Sequence, residues 1–137
     1  MFYAVDDLDE VVPLAEIPRP DVGAPLPRLV ADEHEARVTY YVRGNDDEET
    51  TATFSGLYAL YLGAPNEEAF EGHPLASRGL LPWGAFEIRQ SSWIRAPEWM
   101  NRVHPHHRPK AFASLRHFVL SFHDTTFESV AEDARAR

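Results

Sequence analysis

"ARVTYYVRGNDDEETTATFSGLYALYL", residues 36–62, holds two β-forming runs separated by a polar turn. The first, 36–43, is rich in β-branched and aromatic residues, which suit a pleated, half-buried surface. In the second, 50–62, Ala52, Phe54, Tyr58 and Leu60 alternate with Thr51, Thr53, Ser55 and Ala59. A side-chain period of two puts each set on its own side of a strand, so the pair predicts an antiparallel hairpin with one buried face. "GNDDEE" (44–49) supplies the turn, and Gly56 marks a bulge in the long second strand.

The rest of the chain extends this sheet. "GAFEIRQS" (84–91) alternates Phe86 and Ile88 against Glu87 and Arg89, a third strand. "SSWIRAPEWMNRV" (91–103) predicts the one main helix, capped by Ser91 or Ser92, with Trp93, Ala96, Met100 and Val103 spaced to face the sheet. Pro97 either bends this helix or is its true first residue, and Pro105 ends it. "RHFVLSFHDTTFESVAEDA" (116–134) reads as a closing hairpin, with strands 117–123 and 127–132. Asn66 caps a short helical turn carrying Glu67 and Glu68, Gly79 closes a second, and Pro109 opens a third. The fold class is therefore α+β: a mostly antiparallel sheet of about five strands with one main helix and short helical turns.

At 137 residues the chain fits a single domain, 1–137, with ordinary proportions of hydrophobic and charged residues. Residues 36–137 form its α+β core. Residues 1–35 read as a Pro-rich extended arm, because the stretch 11–35 alone holds five of the 11 prolines, which exclude a long helix or a central strand. Val11, Val12, Leu14, Ile17, Val22, Leu26, Leu29 and Val30 are too many apolar residues to leave in water. The arm is expected to pack on the domain, or on a second protomer, in short edge-strand or polyproline-like pieces.

The net charge of −9 argues against binding nucleic acid through its phosphates. It is unevenly spread, since residues 1–71 carry 16 acidic and 4 basic side chains, whereas 72–117 carry 2 acidic and 7 basic. No cysteine is present, which removes disulfides, thiolate ligands and a cysteine nucleophile. No apolar run approaches the ~18 residues of a membrane helix, and the N-terminus lacks the pattern of a secretory signal. The setting expected is the cytoplasm, without membrane contact, and the dominance of arginine over lysine fits a bacterial source.

Five of the seven histidines fall in residues 102–124. On a strand 117–123, His117 and His123 share a face but stand roughly 20 Å apart, too far to hold one ion together. The histidine-using candidates are His104, His117, His123 and Asp124, and an anion pocket would draw on Arg89, Arg95, Arg102 or Arg116, whose planar forks suit carboxylate or phosphate. "HPHH" matches no zinc spacing, no HExxH, GxGxxG, P-loop or GxSxG occurs, and neither a metal site nor a cofactor is predicted. Glu87 and Glu128 would form an acid/base pair only on adjacent strands facing the same way. "GHPLASRG" reads as a turn whose leucine packs, and Trp83, Trp93, Trp99 and Phe86 as core and rim packing. The function expected is therefore a non-enzymatic module working through protein contacts, as a homodimer through the apolar arm, or against a basic partner through Asp46, Asp47, Glu48 and Glu49. The alternative is a small metal-dependent or histidine-using enzyme.

Overall fold

The computed structural model describes residues 3–23 and 27–137, with the backbone alone at 45–47. Leu26 and the side chains of Asp46 and Asp47 therefore lie outside the described residues. The strands are β1 (Glu10–Pro13), β2 (Arg28–Ala31), β3 (Glu35–Val42), β4 (Asn45–Ser55), β5 (Ala59–Gly63), β6 (Ala85–Arg89), β7 (Arg116–Ser121), β8 (Thr126–Ala131) and β9 (Asp133–Ala136). The helices are α1 (Ser92–Asn101) and α2 (Pro109–Ala113), with 3₁₀ turns at Glu67–Gly72 and Ala76–Arg78. No helix among the described residues is long and apolar enough to cross a membrane.

The mostly antiparallel α+β class read from the sequence is present. A five-stranded sheet, in the order β1-β6-β7-β8-β5, packs face to face on a four-stranded sheet, β2-β3-β4-β9. The 36–62 stretch is where the two sheets part. β3 and β4 pair as expected, but the turn is tighter than the sequence implies, with Val42 opposite Asn45 and Gly44 left-handed at φ 81°. The long second strand breaks at Gly56 (φ 65°). β4 stays in the smaller sheet, while β5 crosses to the edge of the larger one and pairs with β8. The crossing resets the alternation: Ala52 and Phe54 are buried and Leu60 packs on the core, but Tyr58 turns outward.

The inner faces of the sheets make the main core. Ala36, Val38, Tyr40, Ala52 and Phe54 of one meet Phe118, Leu120, Phe127 and Ala131 of the other, with Phe122 just past the end of β7. Phe54 lies at the centre, with ring centroids 5.4 Å from Phe118 and 5.0 Å from Phe127. Removing a side chain of this size from water contributes about 1.5–3 kcal/mol. The larger sheet is covered on both faces at its central strands. Its outer side is covered by a second cluster, in which Phe70, Leu75 and Leu80 of the 3₁₀ segment pack on Phe86, Ile88 and Val119. β7 and β8 are therefore buried on both sides.

The arm uses its apolar residues on its own domain. β1 pairs with β6 and β2 with β3, each at a sheet edge, while Leu14 and Ile17 are sealed into the inter-sheet core. α1 starts at the Ser91 cap, as read from the sequence, with Pro97 inside it. It does not lie along the sheet, however. Only its start is fully buried, and of the four residues spaced to face inward, Trp93 alone is half-buried while Ala96, Met100 and Val103 are exposed. Helical periodicity identifies an apolar stripe, not how much of it finds a surface to cover.

Phe118→Ala is expected to destabilise the protein by about 3–5 kcal/mol, because the two sheets cannot close on the void. The exposed Val30→Ala is expected to stay within about 0.5 kcal/mol in the same denaturant titration.

Candidate functional site

β8 places a glutamate where a purely structural strand would carry an apolar residue. Glu128 sits on the outer face of the larger sheet, with its side chain wholly removed from solvent. Burying a lone carboxylate costs several kcal/mol, so it must be met by donors. Three meet it. Tyr3 donates its hydroxyl to Oε1 at 2.7 Å, His117 Nε2 lies 2.7 Å from the same oxygen, and His73 Nε2 lies 3.0 Å from Oε2.

The surrounding bonds orient both rings toward Glu128. The Leu75 N–H donates to Nδ1 of His73 at 3.0 Å, so that nitrogen carries no hydrogen and Nε2 is the donor toward Glu128. On the other ring, Nδ1 of His117 lies 2.7 Å from Ser91 Oγ, which itself accepts the Trp93 N–H at 3.1 Å. The contact of His117 Nε2 with the carboxylate makes that nitrogen the donor. Burial alone would raise the Glu128 pKa, but the hydrogen bonds from His117 and His73 outweigh it and hold the carboxyl down at about 2. Desolvation first, and then the neighbouring Glu128 charge, push the Tyr3 hydroxyl far above its ordinary value, so it remains a donor.

This cluster ties the ends of the molecule together. The Tyr3 ring stacks on Trp93 at 5.4 Å, and both rings meet His117 edge-on. Gln90, left-handed at φ 53°, swings the chain from β6 into α1 and brings Ser91 over His117. Asp9, buried, accepts the Ser92 N–H at 2.7 Å. Arg95 reaches back from α1 to Asp6 through two bonds of 2.7 and 2.8 Å, and this guanidinium holds the Asp6 carboxyl down at about 2.

The residues singled out from the sequence are dispersed. His117 is in the buried cluster, whereas His123 lies past the end of β7, half-exposed, 2.9 Å from Glu67 and 3.8 Å from Asp124. His104 is exposed beyond α1, where its Nδ1 accepts the His106 N–H. Among the described residues no group of three or more His, Asp or Glu is placed to hold a metal ion. Arg116 is engaged by Glu87 and Glu16, which raise its pKa, and Arg102 by Glu98. Arg95 and Arg102 line one hollow of about 430 Å³ beside α1, while Arg89, Arg95 and Arg116 line another of about 300 Å³. Glu87 and Glu128 are not a pair, since cross-strand register puts Glu87 on the inner face, opposite Phe118, and Glu128 on the outer.

His73, Tyr3, Ser91 and Glu128 form no short motif, and sequence spacing did not join them. One signal was available. "TFESVA" places a carboxylate in the middle of a strand too apolar to be exposed, which demands buried donors from elsewhere. No known protein family, curated protein or solved structure matches this chain.

The second feature is at the surface. Beyond its anchored first turn, α1 presents Trp99 (67% exposed) and Met100 (65%), followed by Val103 (91%). The Arg102 guanidinium lies over the Trp99 ring at 4.7 Å. Of the core and rim places read for the tryptophans, Trp99 takes the rim. It stands there with its apolar area in water.

Glu128→Gln is expected to cost about 3–5 kcal/mol, since an amide nitrogen would face donors and the neutral oxygen could not replace the carboxylate. The folded-state pKa is depressed, so the contribution is complete above the ordinary value of 4.5 and is lost as pH falls toward about 2. Denaturant midpoints across that range are expected to show the gap between wild type and Glu128→Gln closing as pH falls.

Proposed function

We propose that the protein works through protein contacts, and that the first partner is a second copy of the chain, docked through α1. The observation that carries this reading is the exposed run Trp99, Met100 and Val103 on a helix whose buried end is firmly held. Tryptophan, methionine and arginine are enriched in protein interfaces, and scattered apolar exposure rarely takes this concentrated form. Charge supports self-association. The start of α1 is met by Asp6, which holds Arg95, and by Asp9, whereas its far end runs into His104, His106, Arg108 and Lys110, with no acidic residue among 99–110. Two copies of α1 packed antiparallel about a two-fold axis would bring the acidic end of each against the basic end of the other. Glu98 of one protomer would then lie near Arg102 of its partner.

The reading moves the contact surface away from the N-terminal arm, whose Leu14 and Ile17 are already used inside the domain. A surface this small supports a weak, concentration-dependent dimer. The setting proposed is a bacterial cytoplasm, supported by the cysteine-free, acidic, arginine-rich composition.

A histidine-using enzyme has one specific observation behind it. Ser91 Oγ, His117 and Glu128 stand in line at 2.7 and 2.7 Å, the order of groups that activates a serine. Against it, Ser91 is 2% exposed and its oxygen already caps α1 by accepting from Trp93. The Ser92 N–H, a natural donor to an oxyanion, is taken by Asp9.

Sedimentation is expected to show a monomer–dimer equilibrium that Met100→Glu shifts fully to monomer and Trp99→Ala weakens about 30-fold, the effect of losing ~2 kcal/mol. A wild-type protein that stays monomeric at millimolar concentration would contradict self-association. A fluorophosphonate adduct on Ser91 would favour the enzyme reading, and none is expected.

A further inference from the structure

A hollow of about 410 Å³ opens where four separate segments converge, and it uses none of the residues discussed above as a contact surface. Its floor is apolar: Leu57 from the β4–β5 crossover, and Phe112 and Leu115 from α2 and the approach to β7. Its wall is Tyr58, 51% exposed, whose ring stands edge-on to Phe112 with centroids 5.7 Å apart. Two carboxylates line it as well, Glu33 from the β2–β3 loop and Glu132 from the β8–β9 corner, with His34, Gly56 and Ala111 filling the rest.

The local backbone is built to hold Glu132 there. Its N–H donates to Ser55 O at 3.0 Å and Gly56 O at 3.2 Å. Its side chain lies across Gly56, where an added Cβ would come within 2.6 Å of Glu132 Cγ. Gly56 therefore does two things: its φ of 65° lets the chain change sheets, and its bare Cα leaves room for the carboxylate arm. The Glu132 carboxylate has no partner among the described residues. Glu33 has only the solvent-exposed ring of His34, at 3.5 Å. No arginine or lysine lines the hollow.

We propose that this hollow binds an organic cation: an ammonium or guanidinium group carried on an apolar stem. The stem would displace water from Leu57, Leu115 and Phe112, burial that needs no hydrogen-bond partner. The positive head would meet the electron-rich ring faces and the two unneutralised carboxylates, an arrangement that rewards charge and apolar area together. A neutral or anionic ligand of the same shape gains only the first of these. The volume falls within the range of small-molecule sites, and convergence of separate segments is where such sites occur. The net charge of −9 draws cations toward the molecule at long range. The same chemistry is carried by a free amine and by a lysine or arginine side chain of another polypeptide.

The test is titration of the ¹⁵N-labelled full-length protein with butylammonium, butylguanidinium, 1-pentanol as an uncharged counterpart, and a short alanine peptide bearing one central arginine. Saturable amide shifts centred on Gly56, Leu57, Tyr58 and Phe112 are expected for the cations, with pentanol at least about tenfold weaker. The pair Glu33→Gln and Glu132→Gln, whose exposed side chains leave the fold intact by the dispersion of the same spectra, is expected to weaken the cations about tenfold and pentanol hardly at all. A peptide that binds about tenfold more tightly than butylguanidinium assigns the site to a polypeptide partner, and equal affinities assign it to a free amine. Absence of saturation for every cation, equal binding of pentanol, or unchanged cation affinity in the double variant would each overturn the proposal.

Discussion

One buried carboxylate organises this molecule. Glu128 lies on a strand covered on both faces, and its charge persists there because Tyr3, His73 and His117 all donate to it. Each donor arrives from a different part of the chain: the N-terminal segment, the approach to the second 3₁₀ turn, and the neighbouring strand. A charge-assisted hydrogen bond is worth roughly twice a neutral one, and an unmet buried carboxylate costs several kcal/mol. The position of Glu128 is therefore tolerable only when all three segments are in place. A half-assembled cluster is worse than none, which makes closure of the outer layer all-or-none.

The same cluster decides what the surface can do. Ser91 stands between His117 and the first turn of α1, so the polar network ends at the helix cap. Asp9 and Asp6 add two further holds on that turn and the next. The ties between α1 and the Glu128 layer are thus at its N-terminal half, whereas its second half is tied to the following loop, where Glu98 and Asn101 meet His107, and leaves Trp99 and Met100 in solvent. A helix held rigidly at one end and left apolar at the other presents a contact surface at low entropic cost, because the cluster has already ordered it.

Local pattern carried the parts of this fold that depend on neighbours in sequence. β-Branched and aromatic content in 36–43 and alternation in 50–55 and 84–91 identified strands, Ser91 and Asn66 identified caps, and Gly79 a helix end. Non-local geometry was illegible. Nothing in 50–62 says that the chain leaves one sheet for another at Gly56, since a bulge and a crossover share the same glycine signal. The stripe of α1 did not reveal that, of its four members, Trp93 alone would find cover. The histidines misled by their density: His104, His106 and His107 are near in sequence and peripheral in space. His73, isolated in an unremarkable turn, reaches the centre.

The most direct test of the Glu128 cluster is the protonation pattern of its two imidazoles, read from long-range ¹H–¹⁵N correlations of the native protein at neutral pH. Both His73 and His117 are expected to carry hydrogen on Nε2, and His73 none on Nδ1, with an Nε2–H resonance protected from solvent exchange. A hydrogen on Nδ1 of His73, or an Nε2–H that exchanges freely in either ring, would contradict a carboxylate held by these donors.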